Sequence, residues 1–387
     1  MAQDFDAHLS SIVKPYRFSI AKWESRAIPR QASPRILGRH KKTDDEAHVV
    51  TEYFSIIERI QTLESEIKAI TAGNNPGDSA PLEAELDRLR EQKVALKGTV
   101  GQIIKKQIKK TLAQQGIFNL VDRYIRLRVN FPPLNFTLEE PPHLLVISPR
   151  DRIESIRRIL LQPSLSLEEI EDIEAEADKL GVSSLVVELG GLGATYPAFV
   201  TDEADLPFII DTATEEWLHQ YLVFKPLGFL YLLDSIGVPV DYEIIVMNET
   251  LASMVSKEIG TMVVENYYPQ YGNGDHQAET GGAEFDFNRE MRNTRRTVDN
   301  YLARGEIEQA EEFMEQERQY LAAKGYYIRK LNQAYFAFYG TYADSPTSVS
   351  PIGLELKTLR SQSASLKEFL DRVAVMTSRQ DLINSIE

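Results

Sequence analysis

Between residues 44 and 72 the apolar positions Val49, Tyr53, Ile56, Ile57, Ile60, Leu63, Ile67 and Ile70 recur at helical spacing and fall on one face. Turn chemistry follows at Thr71-Ala-Gly-Asn-Asn-Pro-Gly-Asp-Ser79. The same spacing then resumes at Leu82, Leu86, Leu89, Val94, Leu96, Val100, Ile103 and Ile104. The pattern predicts a long antiparallel, coiled-coil-like helical hairpin over residues 43–118. Further on, the short apolar run His143–Ser148 predicts a strand. Residues 149–162 read as a helix, and Ser166 to Leu180 as an acidic helix opened by a Ser-Leu-Glu-Glu capping pattern. Ser183–Leu189 predicts a second strand. Gly190-Gly-Leu-Gly193 turns the chain into Ala194–Val200, a third strand that Pro197 demotes to an edge. From Pro207 the pattern is mostly helical. Leu354, Leu356, Leu359, Leu366, Phe369, Leu370 and Val373 suggest a terminal helix packed on the body.

The fold class expected is therefore α+β and mostly helical, with one small mixed sheet, an edge strand and a helical bundle after it. Four units are expected: a basic extended arm (1–42), the hairpin (43–118), a main domain (119–346) and a C-terminal helical segment (347–387). The arm would dock through Tyr16, Phe18 and Trp23.

Charge sharpens this division. The net charge is −15, yet residues 1–42 hold nine Lys and Arg against three Asp and Glu. The acidic body argues against general nucleic-acid binding, which needs a basic footprint. The basic segment 14–42 suits either contact with an anionic membrane surface or a solvated arm. The chain has no cysteine, which removes thiolate metal sites, disulfides and cysteine nucleophiles. Residues 1–20 are too polar for a signal peptide, and no apolar stretch reaches the about 18 residues that span a bilayer. The chain as written is expected to be soluble, or the soluble part of a membrane-associated protein. The hairpin offers a surface for homo-oligomer formation.

Chemistry concentrates in one helical stretch, Asp211–Phe224. Glu215 and His219 stand four residues apart, so both project from one face. Two ligands one turn apart make half of a tetrahedral metal site. Glu216 lies beside the first of them, as the carboxylate does in H-E-x-x-H. Thirty positions after His219 comes Glu249, expected in the first turn of a second helix with Leu251, Met254, Val255 and Ile259 on its apolar face. A glutamate from that helix completes three protein ligands and leaves one position open.

The stretch Asn248-Glu249-Thr-Leu-Ala-Ser253 resembles the N-E-x-x-S-D segment of thermolysin-like zinc metallopeptidases, the gluzincins, which follows their H-E-x-x-H helix. The strand before the helix is also in the place where such enzymes pair with substrate backbone. The resemblance covers roughly residues 185–266. It implies His219 and Glu249 as zinc ligands, Glu216 as general base and Asn248 as a partner of His219. Two positions depart from it: Glu215 stands where the family has its first histidine, and Ser253 where it has the aspartate that orients that histidine. A Glu/His/Glu set remains able to bind zinc, as a more anionic site suited also to another divalent metal such as manganese or iron. The same substitution is what a relative that has lost its metal would show.

The segment from Gly325 to Asp344 is rich in aromatics, with Asn332, Tyr335 and Tyr339 at helical spacing. One reading makes it a cleft-lining helix whose Asn332 or Tyr335 stabilises an oxyanion; the other makes it an aromatic core helix. His276, in a polar loop, is a further candidate donor. The function expected is peptide-bond hydrolysis of a peptide or protein substrate by metal-activated water. The alternative is a catalytically inactive binding or assembly protein that uses the hairpin.

Overall fold

The computed structural model of the chain describes residues 2–24, 43–72, 78–117, 131–235, 238, 240–271 and 285–387. The fold is α+β and mostly helical, as the pattern predicts. The N-terminal segment departs from the extended arm expected. Phe5, Leu9 and Val13 repeat every fourth position, and Ala2–Val13 forms a helix, α1, that buries Leu9 and Val13 against Ile170 and Ile173. After a 3-10 turn at Lys14–Tyr16, the Phe18 N–H donates to Leu160 O at 3.0 Å and the Gln162 N–H to Tyr16 O at 2.7 Å. Trp23 packs against Phe199 in a tilted pair with ring centroids 4.1 Å apart, and Phe18 meets the same ring edge-on. Docking through these aromatics is thus present. Residues 25–42 of the arm lie outside the described residues.

The hairpin forms as helices α2 (Thr43–Thr71) and α3 (Ala80–Gln114). Its distal half closes on itself through Ile56, Ile60, Leu63, Leu86 and Leu89. Its proximal half does not stand apart. Tyr53, Phe54, Ile57, Val100, Ile104 and Ile108 enter the main hydrophobic core together with the site-bearing helices. Tyr268 OH donates to Gln107 Oε1 at 2.6 Å across that junction.

Two three-stranded sheets replace the single sheet expected. One is antiparallel, in the order β3 (Arg157–Leu161), β2 (His143–Pro149), β4 (Val182–Glu188). β3 overturns the helix expected over 149–162. Ile153, Ile156 and Leu160 have helix-like spacing, but Ile159 and Leu161 fall in register with Leu145 and His143 of the buried β2. Tertiary pairing overrides local pattern here. Helix α4 (Leu167–Asp178) has the full capping box between Ser166 and Glu169 that the sequence suggested.

The second sheet has the order β1 (Phe136–Leu138), β6 (Ala198–Val200), β5 (Gly191–Leu192). β6 is central, parallel to β1 and antiparallel to β5. The strand expected at the edge is therefore flanked on both sides. Pro197 lies just before the paired residues, so its missing N–H removes no ladder bond, and the Ala198 N–H reaches Asn135 O at 3.0 Å. β1 and β5 are the outer strands.

The remaining elements are helices α5 (Leu206–Leu222), α6 (Pro226–Ser235), α7 (Tyr242–Tyr267), α8 (Phe287–Ala303), α9 (Ile307–Ala323), α10 (Gln333–Tyr339), α11 (Ile352–Ser361), α12 (Leu366–Ala374) and α13 (Arg379–Ile386). The C-terminal segment is three short helices rather than one, because Ser365 and Ser378 each cap a new start. α7 is the axis of the bundle: α3, α5, α6 and α11 pack on it. Among the described residues no helix is long and apolar enough to cross a membrane.

Candidate metal centre

α5 starts where the Asp205 carboxylate accepts the Phe208 N–H at 2.8 Å, with Pro207 in its first turn. Ile209, Ile210, Ala213, Trp217 and Leu218 anchor it in the core, and Trp217 Nε1 donates to Pro132 O at 2.8 Å. This fixes the rotation of the helix, and Glu215 and His219 emerge together toward α7. α7 begins at Tyr242, capped by Asp241, so Glu249 sits in its third turn rather than the first turn expected. The two helices approach closely at Gly260, where a Cβ would lie 1.7 Å from Asp211 Oδ1. A larger residue there would have to displace the Asp211 carboxyl or separate α5 from α7.

That crossing brings Glu215, His219 and Glu249 together, with one ligand atom from each lying within 4.8 Å of the others. His219 Nε2 is 3.4 Å from Glu249 Oε2. On the far side of the ring, His219 Nδ1 lies 3.0 Å from Asn248 Oδ1. The amide oxygen only accepts, so Nδ1 carries the proton and Nε2 points its lone pair, when the ring is neutral, at the two carboxylates. Glu215 Oε1 is buried and has no hydrogen-bond partner. A buried carboxylate oxygen without a donor is costly unless a cation or a proton meets it.

The electrostatics follow from packing three carboxyls around one imidazole. Burial pushes the Glu215 carboxyl up to about 8, against the pull of His219. Burial likewise raises Glu216 to about 7, although His219 and the Gly193 N–H draw it down. Burial opposes charge on His219, but the adjoining Glu249, aided by Glu216 and Glu215, outweighs it and lifts the ring to about 10. Glu249 is buried too, yet His219, the Tyr231 hydroxyl and the Arg158 guanidinium hold it below the usual range. With His219 neutral, as a ligand must be, the three ionised carboxylates carry −3 in a largely buried space, and a divalent cation reduces this to −1. The residues therefore fit a divalent metal by donor type, by spacing and by the unpartnered Glu215 oxygen.

Glu216 faces the β5 side. A Cβ on Gly191 would lie 2.5 Å from Glu216 Oε1, and one on Gly193 would lie 2.7 Å from Oε2. Only glycines let this strand and turn lie so close to the carboxylate. Gln220 Nε2 donates to Gly193 O and Thr195 O, both at 3.0 Å, and ties the turn to α5. The outer strand β5 thus runs directly past Glu216.

Three of the candidates came from elsewhere in the sequence. Asn332 caps α10: its Oδ1 accepts the Tyr335 N–H and its Nδ2 donates to Ser184 O, both at 2.9 Å, so both polar atoms are occupied. Tyr335 packs on Phe336 and Tyr339 in an apolar cluster between α10 and the β2–β4 sheet. His276 lies outside the described residues. Ser253 hydrogen-bonds Asp344, which Lys257 also contacts at 2.6 Å, rather than either metal-site glutamate.

Two site residues escaped the sequence reading. Tyr231, on α6, donates to Glu249 Oε1 at 2.7 Å. Tyr342 follows α10 and is held over α7, because the Ala343 N–H donates to Thr250 Oγ1 at 2.9 Å and Asp344 pairs with Lys257. Burial pushes both phenols well above their usual range, and Glu249 adds to this in each. Tyr231 sits in a run so apolar that it reads as core. Tyr342 lies near the end of the aromatic stretch Gly325–Asp344, from which only Asn332, Tyr335 and Tyr339 are singled out by spacing.

No family model matches this chain, and searches of curated proteins and of solved structures find no match to it.

Proposed function

We propose that Glu215, His219 and Glu249 hold a divalent cation, zinc in the first instance, and that the chain is a metal-dependent peptidase of gluzincin-like design. The observation that carries this is the convergence of three ligand atoms within 4.8 Å around a buried Glu215 oxygen that no protein donor meets. A bound cation would supply Lewis-acid activation of water and of a carbonyl. Glu216, poised by its surroundings near pH 7, takes the proton from the attacking water and returns it to the leaving amine. β5, an outer strand beside Glu216, would pair with an extended peptide, the mode by which strands are recognised. Tyr342, kept protonated by burial and close enough to Glu249, Glu215 and Glu216 to feel their charge, would supply a donor for the oxyanion. Metal analysis, together with peptide hydrolysis by wild type and Glu216→Gln, tests the proposal. One metal per chain and activity abolished by Glu216→Gln support it; no metal, or unchanged activity, refutes it.

A second reading draws on the His219–Glu249 contact at 3.4 Å. An imidazolium paired with one carboxylate, beside a protonated Glu215, is electrically closed without a cation. Such a chain would be a non-catalytic relative that binds partners, with the distal hairpin as its arm. Protonation separates the readings, since a metal ligand set needs His219 neutral and Glu215 ionised. An His219 ring that titrates near 10 and ignores added zinc favours the second.

A further inference from the structure

Tyr231 touches two of the three prospective ligands at once. Its hydroxyl donates to Glu249 Oε1 at 2.7 Å, and its ring lies nearly parallel to the His219 imidazole, with centroids 5.4 Å apart and planes at 16°. Engagement of Oε1 leaves Oε2 as the Glu249 oxygen facing His219 Nε2. We infer that Tyr231 is a positioning residue that makes Glu249 a one-oxygen ligand and sets the coordination number, and so the selectivity, of the cation site. This inference rests on the metal-site proposal above.

The chemistry follows from what an unrestrained carboxylate does. It turns freely and offers a cation one oxygen or two. A phenol donating to Oε1 takes up lone-pair density, stops that rotation and reduces the negative charge delivered to the metal. The last effect matters most in a set with two carboxylates. Asn248 restrains the His219 ring from its Nδ1 side, and the Tyr231 stack restrains its plane. Zinc and cobalt(II) suit few, well-placed N and O donors, whereas calcium takes six to eight oxygens and welcomes bidentate carboxylates. Tyr231 therefore biases the site toward the smaller cations.

The test uses the full chain stripped of metal and titrated with zinc, cobalt(II) and calcium, as wild type and as Tyr231→Phe. The Phe ring keeps the stack and removes only the donor. The expected result is zinc affinity about 10- to 100-fold weaker in Tyr231→Phe. The cobalt(II) absorption bands should also weaken, as five- or six-coordinate complexes absorb less than tetrahedral ones, and calcium should lose less affinity than zinc. A purely structural Tyr231 would not move the cobalt spectrum. Wild type that binds cobalt, with an identical spectrum and zinc affinity in Tyr231→Phe, overturns this inference and leaves the metal site standing. Wild type that binds no cation overturns both.

Discussion

Glu215 takes the place that a histidine holds in the gluzincin pattern, and its surroundings tie that change to protonation. One of its oxygens is buried without a donor, and burial holds its proton to about pH 8. A cation that binds here must displace that proton, which weakens binding at neutral pH relative to a neutral imidazole ligand. Glu215→His should therefore tighten zinc by about 10-fold, the scale of a single-ligand adjustment; competition with a chromophoric chelator reads it. Unchanged or weaker affinity would show that Glu215 is not a ligand. Glu216→Gln keeps the shape and hydrogen bonding of the site but removes its base. Metal content should stay at wild type while peptide hydrolysis falls by about 10²- to 10⁴-fold. The ligand residues were legible in the sequence because they obey helical spacing on two separate apolar-striped segments. Tyr231 and Tyr342 were not, because each reaches the site by a long-range contact that leaves no periodic trace.

At the scale of elements, the site depends on how closely α5 and α7 cross. At their crossing, a Cβ on Gly260 would lie 1.7 Å from Asp211 Oδ1. Gly260→Ala should cost about 1–3 kcal/mol as an overpacked contact, measured by urea denaturation, and should weaken metal binding because it moves Glu215 and His219 away from Glu249. Loss of stability with metal affinity intact would mean that the crossing does not set the site. The helical elements were readable where a stripe ran long, as in α2, α3 and α4. β3 departs from the helix expected because Ile153, Ile156 and Leu160 satisfy helical spacing and only pairing with β2 decides the outcome. β5 is two residues long and bounded by glycines, too short for alternation to appear, yet it is the edge that passes Glu216. The sequence places the edge one strand away, at Ala194–Val200, because Pro197 reads as inside the strand; it precedes the paired residues of β6, and proline blocks pairing only inside the ladder.

Across the whole molecule, the buried cluster links protonation, stability and metal. Without metal, Glu215 and Glu216 hold their protons more tightly in the folded chain than the usual 4.5 of a free glutamate. His219, with a raised pKa, favours its charged form in the fold. Lys257 and Arg158 are the cations acting on this group from α7 and β3. Raised acids bind extra protons in the native state, so stability falls as pH climbs from about 4.5 toward 7 and 8. The imidazolium contribution is in turn lost as pH rises through about 10. Metal binding has the opposite sign, because its ligands must shed protons. Thermal melts should thus show the metal-free chain losing stability from pH 5 to 9 while the increment added by zinc grows. An increment independent of pH would contradict the ligand assignment. The hairpin base shares the core with α5 and α7, so stability changes at the site should be felt along the proximal half of α2 and α3. The most direct test of the central claim is the number of zinc ions retained per chain after equilibrium dialysis, in wild type and in His219→Ala. The account predicts one in wild type and none in His219→Ala; equal, substoichiometric zinc in both would contradict it.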